Sequence, residues 1–182
     1  VERYGFERSR QPDNLTLALG AGSASPMQMA QAYAVLANGG WRVQPVLIER
    51  ITDAQGKPLW QAPEPPAQTD DNRAVPERNV WLTDSLLNEV TRVGTAARAQ
   101  ARLQRQDVYG KTGTTNDAVD AWFAGFQTDG RQGLVGVAWM GYDQPQSLGE
   151  RESGGGLSLP IWIDFMAQAL KKRPPAPAPA PP

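Results

Sequence analysis

The stretch Tyr109-Gly110-Lys111-Thr112-Gly113-Thr114-Thr115-Asn116-Asp117, followed by Asp120-Ala121-Trp122-Phe123-Ala124-Gly125-Phe126, decides how the rest of the chain is read. After Asp107 the hydrophobic pattern becomes strand-like. Val108 to Thr115, Ala121 to Gln127 and Gly133 to Tyr142 read as three strands, with Thr128-Asp129-Gly130 among the short turns between them. Consecutive strands with short connections pair antiparallel. A Lys, two hydroxyls and a Gly on the first strand are poor core material. Gly113 admits close approach to the backbone, and strand alternation sends Lys111 and Gly113 to one side and Thr112 and Thr114 to the other. An edge strand of this kind can pair with an extended peptide while ammonium and hydroxyls hold a carboxylate. Taken alone the triplet is common, and a solvated edge strand running into a turn at Thr115-Asn116-Asp117 explains it adequately.

Upstream of this stretch, Asn14 to Leu19 reads as a short extended segment. Ser25-Pro26 with Gln28 has the spacing of a capping box, and Met29, Ala30, Tyr33, Leu36 and Ala37 follow at helical spacing until Asn38-Gly39-Gly40 stops the helix. Trp41 to Ile51 is strand-like. With a turn at Asp53-Ala54-Gln55-Gly56 and a short strand at Pro58 to Gln61 it predicts a peripheral hairpin over 41–61. Residues 62–78, rich in Pro, Asp and Gln, predict a surface loop. Val80 to Val93 carries a broad apolar face, and Thr95 to Gln104 suits a short amphipathic helix. Downstream, 143–156 reads as a Gly-rich loop whose Ser153-Gly154-Gly155-Gly156 end leads flexibly into a last helix. That helix spans Leu159 to Lys171 and buries Ile161, Trp162, Phe165, Met166, Ala169 and Leu170 on one face. Trp122, Trp139 and Trp162 are expected in core and sheet-to-helix packing. Residues 174–182 are almost pure Pro and Ala and predict an extended, solvated tail without a core role.

Composition narrows the chemistry. The net charge of −1 offers no basic surplus for nucleic acid. With no Cys and no His, neither a thiolate nucleophile, a Cys zinc site nor a Ser-His-Asp triad can be built, so acid-base chemistry falls to Lys, Tyr or carboxylates. Neither a metal nor a cofactor is expected. Asp143, Glu150 and Glu152 read as solvated loop charges beside Arg151.

The quoted stretch closely resembles class A penicillin-binding proteins. So do Ser25-Pro26 with Ala37-Asn38-Gly39-Gly40, Arg92-Val93-Gly94-Thr95-Ala96, Trp139-Met140-Gly141-Tyr142-Asp143 and Leu159-Pro160-Ile161-Trp162, all in the family's order. The resemblance covers residues 1–172 and leaves 173–182 outside as a Pro/Ala-rich disordered tail. It implies an α+β fold, the C-terminal part of a β-lactamase/transpeptidase-like domain, with a three-stranded antiparallel sheet and a packed C-terminal helix. It further implies a peptidoglycan DD-transpeptidase that cross-links stem peptides through a serine acyl-enzyme, is acylated by β-lactams, and works at the periplasmic face of the bacterial inner membrane. In that reading Lys111 and Thr114 are catalytic, with the Thr114 N–H an oxyanion donor. Lys111, Thr112, Gly113, Thr114, Thr115 and Asn116 line the substrate.

Family members also carry a Ser-x-x-Lys nucleophile and a Ser-x-Asn. None of Ser9, Ser23, Ser25, Ser85, Ser147, Ser153 and Ser158 has Lys three positions on or Asn two positions on. The chain also opens on Val1. It is therefore expected to be a segment whose partner is the upstream half of the same domain, inactive alone, and membrane-bound only through a missing N-terminal helix. A serine β-lactamase or DD-carboxypeptidase remnant, or a non-catalytic peptide-binding module, are the alternatives. The resemblance implies two further upstream strands in the sheet, so the strand at 133–142 is expected to expose an apolar edge. The isolated segment should then be marginally stable, and a cooperative, high-temperature melting transition of the monomer would refute this.

Overall fold

The computed structural model describes residues 1–130, 132–177 and 180–181. Its first long helix begins where the sequence places it. The Ser25 hydroxyl accepts from the Gln28 N–H (3.2 Å) and Gln28 Oε1 accepts from the Ser25 N–H (2.9 Å), which starts α1 (Pro26–Ala37). Gly40 follows with φ 100°, and a Cβ there would stand 2.2 Å from the Val75 carbonyl oxygen. Only glycine meets both demands. Three more helices follow: α2 (Glu77–Arg92), α3 (Arg98–Leu103) and α4 (Ser158–Ala169).

A small hairpin joins β1 (Arg50–Thr52) to β2 (Pro58–Gln61), its turn fixed by Asp53 Oδ1 accepting from the Gln55 and Lys57 N–H groups. The main sheet is antiparallel, ordered β3 (Val108–Thr114), β4 (Ala121–Thr128), β5 (Gly133–Met140). Both β3 and β5 are edges.

Alternation along these strands builds two cores. Val108 and Phe123 meet Ala96, Ala99, Leu159, Trp162 and Met166 on the α3 and α4 face. Tyr109 and Phe126, stacked with centroids 5.0 Å apart, meet Leu36 and Ala37 of α1 on the other face, where Leu87 of α2 also packs. Trp162 is the keystone of the first core. It stands edge-on to Phe123 (4.9 Å) and donates its Nε1–H to the Gly136 carbonyl (3.1 Å), a group it can reach because Gly136 has no side chain.

Five expectations are corrected. Asn14 does not start an extended segment: its side chain accepts from the Thr16 N–H (2.9 Å) and begins a 3-10 turn over Leu15–Leu19. Short polar side chains favour such local bonds over extended pairing. In the 41–51 run only Arg50 and Ile51 lie in a strand, because Pro45 cannot donate to a ladder and 58–61 is too short to pair further. Trp41 instead bridges to Arg73, whose guanidinium carbon lies 3.9 Å from the ring centroid. Of the three Trp residues, Trp162 is core, whereas Trp122 is half-buried and Trp139 is 37% exposed, the two forming a cross-strand pair with centroids 6.0 Å apart. On α4, Ile161, Phe165 and Ala169 are exposed, so its buried face is narrower than predicted. Finally, Arg173, Pro174 and Ala176 are hydrogen-bonded to the domain where composition predicts a solvated stretch. The disorder expected over 173–182 falls partly on residues 178, 179 and 182, which lie outside the described residues.

Candidate functional site

The first half of β3 belongs to the core and the second half to the surface. Val108, Tyr109 and Gly110 are buried, Thr112 and Gly113 half-buried, Lys111 and Thr114 exposed. Because β3 pairs with β4 on one side only, its outer edge presents alternate backbone groups. Lys111 shows which ones. Its ammonium curls round the edge and donates to the Thr112 carbonyl (2.8 Å), which therefore faces outward. In an antiparallel pair a residue's N–H and C=O point the same way and every second residue repeats the direction, so the Thr114 N–H also faces outward.

Three polar heads converge at this edge. Lys111 Nζ lies 3.5 Å from Thr112 Oγ1, and Thr112 Oγ1 lies 2.9 Å from Thr95 Oγ1. Among the described residues no ion pair includes Lys111. Thr114 is prepared differently. Its hydroxyl accepts the Gly154 N–H (3.0 Å), which occupies an oxygen lone pair and leaves the hydroxyl proton available to donate.

Gly154 is the packing device that holds this edge. A Cβ at that position would lie 2.2 Å from the Trp122 carbonyl oxygen and 2.5 Å from the Gly113 carbonyl oxygen. The segment expected to lead flexibly into the last helix is thus seated on the β3–β4 backbone. Ser153 Oγ accepts from the Gly156 N–H (3.2 Å), and Arg98 donates to the Gly155 carbonyl. Thr95 and Gly154 are functional candidates the sequence reading passes over. Thr95 does lie in the quoted Arg92 to Ala96 match, but only the fold brings it to Thr112 across a gap of 17 residues.

Thr115 and Asn116 sit at the far end of the strand. The Thr115 hydroxyl accepts from the Asp120 N–H (2.7 Å) and the Thr115 N–H donates to the Asp120 carbonyl (3.1 Å), closing the β3–β4 connection. Asn116–Ala118 form a 3-10 turn in which Asp117 (φ 60°) and Ala118 (φ 50°) take left-handed backbone, held by Ser147 Oγ donating to the Asp117 carbonyl (2.7 Å) and the Leu148 N–H to the Ala118 carbonyl (2.8 Å). The sequence reading of a turn here agrees. Two cavities of about 570 and 480 Å³ lie elsewhere, around Trp41, and neither is lined by residues 111–116. The outer edge of β3 carries no paired strand among the described residues.

A family model described as the penicillin binding protein transpeptidase domain matches residues 2–167. Penicillin-binding protein 1A of Neisseria lactamica is 42% identical over 174 residues, covering 96% of this chain and 21% of that protein. The crystal structure of penicillin-binding protein 1A from Haemophilus influenzae superposes with a TM-score of 0.86 at 33% identity, over 100% of this chain and 31% of the other. The PonA1 protein of Mycobacterium tuberculosis in complex with penicillin V superposes with a TM-score of 0.70 at 25% identity, over 94% of this chain and 45% of the other. The chain therefore spans about a fifth of the length of the curated relative it matches.

Proposed function

We propose a function from the family to which this chain belongs, the penicillin-binding protein transpeptidase domains. The chain supplies one wall of a peptidoglycan DD-transpeptidase site, and the nucleophilic wall is contributed by upstream sequence. The observation that carries this reading is the convergence of Lys111 Nζ, Thr112 Oγ1 and an outward Thr114 edge on the unpaired side of β3.

A stem peptide ending in D-Ala-D-Ala lies extended along that edge. Lys111 attracts its carboxylate, and the Thr112 and Thr114 hydroxyls donate to it. When the upstream serine attacks the penultimate carbonyl, negative charge develops on the carbonyl oxygen, and the outward Thr114 N–H is one donor for it. A preorganised donor of this kind lowers the barrier by about 3 kcal/mol. The terminal D-Ala leaves, and the amine of a second stem peptide resolves the acyl-enzyme. Penicillin V, bound by the PonA1 relative, offers the same pairing of carbonyl and carboxylate. Asn116 contributes at the rim, whereas the Thr115 hydroxyl already serves the turn. We place the parent protein at the periplasmic face of the inner membrane. No helix among the described residues is long and apolar enough to cross a membrane, so an anchor would come from upstream residues.

Fluorescent penicillin provides the test. It should label the full-length protein and leave the 182-residue segment unlabelled; labelling of the segment would refute an upstream nucleophile. In the full-length protein Thr114→Val should slow labelling about ten- to a hundredfold, the size expected from one hydrogen bond to a charged group. An unchanged rate would remove the Thr114 hydroxyl from carboxylate binding.

A further inference from the structure

Arg105, Asp107 and Gln127 form a polar cluster at the start of β3, away from the Lys111 edge, and all three are buried. Arg105 grips Asp107 through two parallel bonds, Nε to Oδ1 (2.9 Å) and Nη2 to Oδ2 (2.6 Å), while Gln127 Nε2 donates to Asp107 Oδ2 (2.9 Å). A buried ion pair of this kind must satisfy its remaining donors and acceptors to be tolerated. The partners that do so come from the beginning of the Pro/Ala tail. Arg105 Nη1 donates to the Arg173 carbonyl (2.6 Å) and Nη2 to the Pro174 carbonyl (3.1 Å), the Ala176 N–H donates to Asp107 Oδ2 (2.9 Å), and Arg173 Nη1 donates to Gln127 Oε1 (3.0 Å).

The register of the tail matches this cluster. At 174 only a carbonyl is used and at 175 no backbone bond is described, so the two prolines cost nothing there. At 176 an N–H is used, and the residue is Ala rather than Pro. We propose that Arg105, Asp107 and Gln127 are a backbone-reading site for an extended, proline-containing peptide, and that its occupant is this chain's own segment 173–176. The tail is then latched to the base of the sheet rather than hanging free. Ala180, further along the tail, forms part of the wall of the cavity beside Trp41 and Trp81. An aromatic-walled cavity suits an extended proline-rich strand.

Two chain ends and one substitution test the latch, and none of the readouts depends on penicillin or transpeptidation. A chain ending at Pro177 should melt like the full chain, and one ending at Lys172 should melt lower. A synthetic peptide of residues 173–182 added to the shorter chain should restore its melting temperature in a concentration-dependent way, and the same peptide with Ala176→Pro should not. Equal melting of all chain ends, or restoration by the Ala176→Pro peptide, would overturn the proposal. Should the shorter chain fail to fold, hydrogen exchange in the full chain decides. The Ala176 amide is expected to exchange at least tenfold more slowly than an unstructured amide. Exchange at the unstructured rate would show that no latch forms.

Discussion

Replacing Asp84 by Asn is expected to stabilise the chain at pH 8 and to flatten its stability between about pH 4 and pH 7. Asp84 lies on α2, 7% exposed, and its Oδ1 has no hydrogen-bond partner. It helps line the cavity of about 480 Å³ that also holds Arg73 and Glu77. Arg73 turns its Nη1 toward Glu77 (3.7 Å) and its guanidinium face toward Trp41. Tyr4 and Tyr109 are close enough to feel the Asp84 charge. Burial pushes the Asp84 carboxyl up to about 7 from its ordinary 3.8.

With its carboxyl raised in the folded state, the native chain holds the proton more tightly than the unfolded chain. Stability is then full below about pH 4 and is lost as pH rises through about 7, by up to about 4 kcal/mol at ~1.36 kcal/mol per pH unit. Asn cannot ionise, so this loss disappears. Its buried amide still lacks a partner, at a cost of about 1–3 kcal/mol, which limits the net gain at pH 8. Asp84→Leu removes the polar atoms as well and should gain more. Asp107 is the counterweight. Burial, the largest single influence, raises its carboxyl, but hydrogen bonds from Arg105, Ala176 and Gln127, with the Arg105 charge, bring it below its ordinary 3.8. Its contribution is therefore present above about pH 4 and lost only in stronger acid. Denaturant titrations at pH 4, 6 and 8 separate the two groups. A wild-type midpoint that does not fall over this range would show that Asp84 is not held as described.

The pattern of success in reading the sequence follows interaction range. The capping box at Ser25 and Gln28, the stop at Gly39-Gly40 and the three long strands are set by neighbours a few residues apart or by strict alternation, and they stand where expected. The motif strand was legible for the same reason, but the separation of Lys111 from Thr112 that alternation predicts is not kept at their polar heads: the ammonium turns back to the Thr112 carbonyl and lies 3.5 Å from Thr112 Oγ1. What was not legible depends on distant partners. Thr95 meets Thr112 across 17 residues, Gly154 meets Thr114 across 40, and Ala176 meets Asp107 across 69. A Gly-Gly-Gly run reads as flexibility until the backbone it packs against is known. The Trp122–Trp139 pair misled for a related reason: Trp139 Nε1 donates to Asp120 Oδ1 (2.7 Å) at the surface, so an indole that resembles core material faces solvent with its polar atom satisfied.

Gly154→Ala should be the most damaging single-methyl change near the site. Its Cβ would press on the Trp122 and Gly113 carbonyl oxygens at 2.2 and 2.5 Å and on the Gly113 nitrogen at 3.1 Å. All three are backbone atoms of paired strands, which cannot swing aside as a flexible side chain would. Relief requires the 153–156 segment and β3 to part, at about 1–3 kcal/mol or more of stability. Parting also stretches the Gly154 N–H bond to Thr114 Oγ1, so the Thr114 hydroxyl and N–H lose their fixed aim. A displacement of about 1 Å at a reacting centre costs on the order of a hundredfold in rate, and penicillin acylation of the full-length protein should fall by that order. Gly155→Ala is the control, because the nearest atoms to its Cβ lie at 3.4 Å (Thr95 oxygen) and 3.7 Å (Thr112 Cγ2), ordinary contact distances. It should fold and acylate nearly as the parent does. If Gly154→Ala acylated at the parent rate while remaining folded, the β3 edge would not be the wall on which penicillin is positioned.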